Sequence, residues 1–439
     1  MKEKTENTMT DQSLTIARNA VTSVGVDAAS LNRARLHSID HSVSHRTDDH
    51  AVANQKKSGR CWIFAGLNSL RTALMADTKI KDFEFSQAYV HFWDKLEKAN
   101  YFLVAMSELA ERDLDDRTVQ HLLANPVEDG GQWGMFVALV EKYGVVPKYA
   151  MPETWSSSHT DKLCRDLNSL LRKGALAIRE ADTPEKVEEV RRSYLAQVYR
   201  ILVIHLGTPP ERFLWQYRDK DKTFHREGEY TPTEFARAVL PADLKDYICV
   251  VNDPRNPYEA AYTVEYLGNV IGSPVTYVNA PIEVLKRAAA SSIVDGHPVW
   301  FGCDTVAHSH AETGVWAADL YQREELYGVE LDMDKKERLI SGESLMTHAM
   351  VLTGVDLPCA DCHDSAELPE DLEIRRWRVE NSWGDEKADK GFWTMDDSWF
   401  EPYVYEVAVH PRYLPEAVVA AAKQEPTVLP AWDPMGALA

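Results

Sequence analysis

Cysteine is scarce in this chain of 439 residues: there are six, irregularly spaced. So few imply no disulfide framework, and a reduced, cytoplasmic protein is the simplest expectation. The start, Met1-Lys2-Glu3-Lys4-Thr5-Glu6-Asn7, is polar and lacks the apolar core of a secretory signal. No apolar run approaches the ~18 residues of a membrane span, so no membrane partner is expected. Basic residues are in deficit, 48 against 69 acidic ones, for a formal net charge of −21. A surface for phosphate backbones needs basic patches, so nucleic acid is not an expected partner. Internal repeats and low-complexity segments are also missing. What remains is an ordinary globular composition, 44% hydrophobic and 27% charged, long enough for two or three domains or one elaborated domain.

One stretch stands out: Asn54-Gln55-Lys56-Lys57-Ser58-Gly59-Arg60-Cys61-Trp62. After Cys61 the apolar residues Ile63, Leu67, Leu70 and Leu74 fall at helical spacing, which places Cys61 at or near a helix start. There the helix dipole and the unpaired N–H groups favour thiolate over thiol. Gly59 allows a sharp turn into the helix. Gln55, six residues earlier, can bring a side-chain N–H back over the same point. With the Cys61 backbone N–H it makes a candidate oxyanion hole.

A thiolate nucleophile needs a base and a group to orient that base. His348 lies in Leu345-Met346-Thr347-His348-Ala349-Met350-Val351-Leu352, which reads as a strand that holds an imidazole among apolar neighbours. Asn381 follows in Glu380-Asn381-Ser382-Trp383-Gly384. Its amide oxygen can accept the imidazole N–H and fix the tautomer, and Trp383 can shield that bond from solvent. Read alone, each of these is more often a buried thiol, a core histidine or a turn. Taken together in the order Gln, Cys, His, Asn, they form a catalytic constellation.

The rest of the chain divides by character. Residues 1–50 read as an N-terminal arm. Residues 51–155 form a helical half carrying the nucleophile, with an aromatic helix over Phe85, Tyr89, Phe92, Trp93 and Leu96. Residues 156–245 read as an inserted helical region, with a polar, charged excursion from Tyr217 to Tyr230 and a helix capped by Thr231 with Pro232 at its first position. Residues 246–425 are β-rich and carry the His and Asn. Residues 426–439 are an apolar C-terminal arm with Trp432 and three prolines. The chain is helical early and β-rich late, an α+β arrangement.

Ser58-Gly59-Arg60-Cys61-Trp62 resembles the local signature of papain-like proteases. Two departures narrow the resemblance. Ser58 stands where that signature opens with a cysteine. His348 lies 287 residues beyond Cys61, against about 130–150 in papain itself; the inserted region accounts for the excess. Both point to the aminopeptidase C/bleomycin hydrolase family. Its matching segments are Asn54 to Asn68, Asp94 to Tyr101, Asp129 to Trp133, Lys142 to Thr154, Asn252 to Tyr258, Gly342 to Val355, Glu380 to Gly384 and the tail. The resemblance implies a papain-like fold, a catalytic set of Cys61, His348 and Asn381, and Gln55 in the oxyanion hole. It also implies that Gly130 and Gly131 present backbone to the substrate. No metal or organic cofactor is implied.

For the tail, the resemblance implies an arm lying in the active-site cleft, where the carboxylate of Ala439 pairs with a substrate's α-ammonium group. The expected activity is release of N-terminal residues from short or unfolded peptides, with broad side-chain tolerance, by a homohexamer. An endopeptidase or acyl transferase on the same residues, and a nucleic-acid-binding assembly, are the alternatives. Cys359-Ala360-Asp361-Cys362-His363 has the form of a haem attachment site or half a zinc site. With no export signal and no second CxxC, a polar loop is the better reading.

Overall fold

The computed structural model describes residues 12–47, 50–359, 364–369 and 371–438. Three short helices, α1 (Gln12–Val24), α2 (Val26–Ser30) and α3 (Arg33–Ser38), and a short strand β1 (His45–Arg46) make up the described part of the N-terminal arm. The helical half follows with α4 (Cys61–Thr78), α5 (Gln87–Glu108), α6 (Arg117–Ala124) and α7 (Trp133–Tyr143). Ser86 caps α5 through the Tyr89 N–H, and Asp116 caps α6 through Thr118 and Val119. As the aromatic stripe predicts, Phe85, Tyr89 and Phe92 are buried.

The inserted region is not wholly helical. Two long helices, α8 (Asp161–Glu180) and α9 (Pro184–Leu206), precede a hairpin, β2 (Phe213–Arg218) and β3 (Phe224–Tyr230), and a short helix α10 (Pro232–Val239). The polar excursion of the sequence is therefore one strand of a two-stranded sheet and its turn. Its polarity reflects exposure: most β3 side chains face solvent. Thr231 caps α10 in a full capping box with Glu234, with Pro232 at its first position.

The β-rich half holds β4 (Ile248–Val251), β5 (Ala260–Val264), β6 (Tyr277–Asn279), α11 (Ile282–Val294), β7 (Val299–Cys303), β8 (Ser309–His310), β9 (Val315–Trp316), α12 (Arg323–Tyr327) and α13 (Lys335–Ser341). It continues with β10 (His348–Asp356), β11 (Arg376–Glu380), β12 (Phe392–Asp396), α14 (Asp397–Tyr403), β13 (Val404–Val409), α15 (Glu416–Ala421) and β14 (Thr427–Leu429). One sheet runs β14-β5-β6-β4-β13-β7-β10-β11-β12-β9-β8, and β1 pairs with the far end of β10. Alternation along β10 sends Ala349 and Val351 to the core shared with the helical half, and Met350 and Leu352 to a second core under α11 and α14. Cys61, Trp62 and Ile63 belong to the first core, so α4 packs directly on this sheet.

The N-terminal arm crosses to the β-rich half rather than fraying. Asn32 N–H donates to Leu320 O (2.9 Å), and Arg35 pairs with Asp319 and Asp396. Among the described residues no helix is long and apolar enough to cross a membrane.

Candidate active site

Cys61 is the first residue of α4. Arg60 precedes it with no side-chain cap on the helix, so the first N–H groups have no capping oxygen. Arg60 is fully buried and forks onto Glu153 (3.0 and 2.8 Å), which fixes the turn into the helix. Backbone N–H groups of Ala349, Trp62 and Cys61 itself donate toward the Cys61 sulfur. Ala349 is the second residue of β10, so the same contact brings the start of the His348 strand to the thiol.

His348 opens β10 and is buried. Its Nε2 lies 2.9 Å from Asn381 Oδ1. That oxygen also accepts the Ser382 N–H at 2.7 Å, which identifies the atom as the carbonyl oxygen of the amide. His348 Nε2 must then carry the proton, and Nδ1 keeps a lone pair for a proton from elsewhere. The β10–β11 register pairs Val351 with Glu380, and its continuation places Trp383 opposite His348. The two rings stack, 5.0 Å between centroids at 28°. Trp383 covers the imidazole on one side and is itself half exposed.

The segment before Cys61 is zipped to the segment after Asn381. Gln55 N–H donates to Ser382 O (2.8 Å), Gly384 N–H donates to Ala53 O (3.1 Å), and Asn54 bridges Trp383. Gly384 has φ +81°, and a Cβ there collides with the Asn54 side chain. Gln55 is buried with both ends of its amide engaged. Nε2 donates to Ser58 O (2.6 Å), and Oε1 accepts from Ser382 Oγ (2.5 Å). One amide N–H remains beyond these bonds.

The charge state differs from the one the sequence suggests. Burial pushes the Cys61 thiol up, to about 11, against the three N–H groups that pull it down. Burial also pushes His348 down, to about 4, against its bond to Asn381. The three N–H groups favour the sulfur anion but do not offset the cost of its burial.

The Gly130-Gly131 loop forms an adjoining wall. Trp62 Nε1 donates to Asp129 O (2.7 Å), and a Cβ on Gly131 falls 2.5 Å from the Trp62 ring. Only glycine fits there. Beneath the loop lies a buried charged cluster. Lys95 pairs with Asp129 (2.9 Å), Lys98 pairs with Asp94 (3.0 Å) and donates to Gly130 O (2.5 Å), and Gly59 N–H donates to Asp129 (3.1 Å). Burial raises the Asp129 carboxyl, but Lys95 and His91 outweigh it and hold it well below the usual carboxylate range.

The C-terminal arm ends beside this loop. Its strand β14 pairs in parallel with β5. Arg255 then holds Asp433 (2.8 Å), and Gln132 Nε2 donates to the carbonyls of Met435 (3.0 Å) and Ala437 (2.9 Å). Gln132 is the neighbour of Gly131. A cavity of about 780 Å³ opens alongside, lined by Tyr101, Phe102, Arg117, Leu267 and Leu438 among others. Ala439 lies outside the described residues, as do Cys362 and His363. Cys359 is disulfide-bonded.

The structure thus brings Cys61, His348, Asn381, Trp383 and Gln55 to one place, with Gly131 packed on Trp62. Sequence reading missed Gln132, the Lys95–Asp129 pair, Arg255 and Ser382. Gln132 and Asp129 sit within the noted Asp129–Trp133 motif, but nothing in that motif names their partners.

Comparison with known proteins gives the family and the fold. A model of the Peptidase C1-like family matches residues 1–436. Bleomycin hydrolase of Gallus gallus is 48% identical over 88% of this chain and 86% of its own length. Aminopeptidase C of Listeria monocytogenes is 43% identical over 94% of this chain and 92% of its own. The crystal structure of pepW from Lactobacillus rhamnosis superposes with a TM-score of 0.95 at 42% identity, covering 100% of this chain and 98% of that one. The chain belongs to the Peptidase C1-like family and has the papain-like fold of a cysteine peptidase.

Proposed function

We propose that this protein is a cysteine aminopeptidase that releases N-terminal residues from short or unfolded peptides, with broad side-chain tolerance. Kinship to proteins named aminopeptidase C and bleomycin hydrolase supports the class of activity. In this reading His348 Nδ1 takes the Cys61 proton and the sulfur attacks the carbonyl of the first residue. Gln55 and the Cys61 N–H hold the oxyanion. His348 then protonates the leaving amine, and water activated by His348 hydrolyses the thioester. Asn381 keeps the imidazole in the required tautomer, and Trp383 shields that bond. Backbone of Gly130 and Gly131 aligns the substrate.

The observation that carries the exo-specificity is the grip of Gln132 on the carbonyls of Met435 and Ala437. It holds the end of the arm beside the glycine loop, where the carboxylate of Ala439 is proposed to pair with the substrate's α-ammonium group. We place the enzyme in the cytoplasm as a homohexamer. The fully unburied helix α1, which exposes Leu14, Ile16 and Val24, supports contact with another copy. Mass measurement in solution tests the assembly.

Two fluorogenic amino-acid amides under thiol test the activity, one with a free α-amine and one N-acetylated. Cleavage of the free-amine compound alone, abolished by Cys61→Ala, is expected. Equal cleavage of both leaves the nucleophile and removes the carboxylate anchor, whereas activity surviving in Cys61→Ala removes the mechanism.

A further inference from the structure

Glu380 is the residue immediately before Asn381, and it is buried in a place where a carboxylate is costly. Its Oε1 accepts from Arg71 Nη2 at 2.5 Å and from Asn68 Nδ2 at 2.9 Å. Both donors lie on α4, the helix that Cys61 opens, two to three turns further along. Arg71 is fully buried as well. Its guanidinium also donates to Ala51 O (3.0 Å) and Phe83 O (3.4 Å). Residue 51 begins the segment that pairs through Ala53 and Gln55 with Ser382 and Gly384. On the sheet, the Cα of Glu380 is paired with that of Val351 on the His348 strand and that of Phe392 on β12.

One ion pair therefore joins the elements that bear Cys61, Asn381, Gln55 and His348. Nothing about folding requires a charge at this point. A buried ion pair seldom stabilises a fold more than well-packed apolar side chains of similar size, and its best-attested use is to fix one geometry among several. A helix packed on a sheet through apolar contacts can slide by fractions of a side chain with little change in buried area. A guanidinium whose two terminal nitrogens are committed to a carboxylate and two carbonyls resists such sliding.

From this arrangement we infer that Arg71 and Glu380 are positioning residues for the reaction: the pair sets the register of the nucleophile helix against the strand end that carries Asn381. The inference rests on the proposed roles of Cys61, His348 and Asn381. Neither residue touches substrate. Each acts through the residues it aligns.

The test is the double variant Arg71→Met/Glu380→Met, with Arg71→Lys and Lys286→Met beside it. The double variant removes both charges of the pair together, so neither partner is left buried without the other. It is expected to fold with a melting temperature near that of the parent. Its kcat is expected to fall about 100-fold, the scale of a 1 Å misplacement in a catalytic site. KM is expected to stay within about twofold, because no substrate contact is lost. Arg71→Lys keeps the charge but cannot reach Glu380 and both carbonyls from two nitrogens, and its kcat is expected to fall between those of the parent and the double variant. Lys286 pairs with Asp397 on the far side of the sheet (2.7 Å), and Lys286→Met is expected to leave kcat unchanged.

The second readout is the rate at which iodoacetamide alkylates Cys61 as a function of pH, which needs no substrate. A displaced His348–Asn381 pair moves that profile, whereas a pair that serves only stability leaves it in place. A folded double variant with parental kcat and an unmoved profile overturns the inference. So does a double variant that fails to fold, since the pair then serves the fold itself. If instead Cys61→Ala retains activity, the proposed mechanism has failed rather than the strut.

Discussion

Cys61 and His348 sit on walls held by different forces. On the helical side, charge does the holding. Arg60 grips Glu153, Lys95 grips Asp129, and Lys98 grips Asp94 and the Gly130 carbonyl, all wholly or largely out of water. On the sheet side, the backbone does it. His348 starts a strand paired along its length to β7 and β11, and Asn381 follows the last residue of β11. A helix bonds along its own axis and leaves unpaired N–H groups only at its end, so no ladder ties it to its neighbours and side-chain ion pairs do the tethering. A strand end is tethered by the ladder it belongs to. The nucleophile wall is accordingly the one whose integrity depends on individual side chains.

Four substitutions probe that contrast. The largest effect is expected from His348→Ala, which removes the proposed base and leaves the walls standing. Peptidase activity should fall by about 10⁴-fold or more, the scale seen when a catalytic triad loses a member. Alkylation of Cys61 gives the sign. Its thiol lies above the ordinary range, at about 11, so without the imidazole the thiolate fraction at neutral pH is small. The alkylation rate should then climb steadily with pH toward that value. A plateau near neutrality in this variant contradicts the assignment. Lys95→Met comes next and strikes the helical wall. It leaves Asp129 buried with its strongest partner gone, a loss of about 3–5 kcal/mol of stability by the usual measure of a broken buried pair, readable in denaturant unfolding.

On the sheet wall, Asn381→Ala should separate function from stability. The ladder around residue 381 is backbone, so the melting temperature should move little while kcat drops about 100-fold as the imidazole loses its fixed tautomer. If Asn381→Ala unfolds the protein and Lys95→Met does not, the contrast between the walls is wrong. The smallest effect on rate is expected from Gln132→Ala, which frees two carbonyls of the arm. Cleavage of the free-amine amide should decline modestly while cleavage of the N-acetylated one rises, and the ratio of the two rates is the measurement.

Much of this was legible before any coordinates. Cys61 announces itself because a helical apolar pattern begins directly after it. His348 and Asn381 are each ambiguous alone and become legible through their order after Gln55 and Cys61. These are local signals, and local signals survive in a single sequence. What stayed hidden is long-range or masked by solvent. Gln132 grips carbonyls about 300 residues away, and a backbone carbonyl has no signature in the sequence. The hairpin at 213–230 was hidden because a two-stranded sheet with one strand mostly in solvent shows little alternation. The burial that opposes a sulfur anion at Cys61 is hidden for the same reason, since the helix terminus is a local feature and burial is not.

Gln55 is held at both ends, by Ser58 and Ser382. An amide in that state has no rotamer left to select when a tetrahedral intermediate forms; its choice was made when the chain folded. Such a site does not loosen by degrees as it warms. Its donor is lost only when the short ladder between residues 53–55 and 382–384 opens, and that opening is part of the melting of the sheet itself. Activity and structure should then disappear over the same few degrees, with no interval in which the enzyme is still folded but already idle.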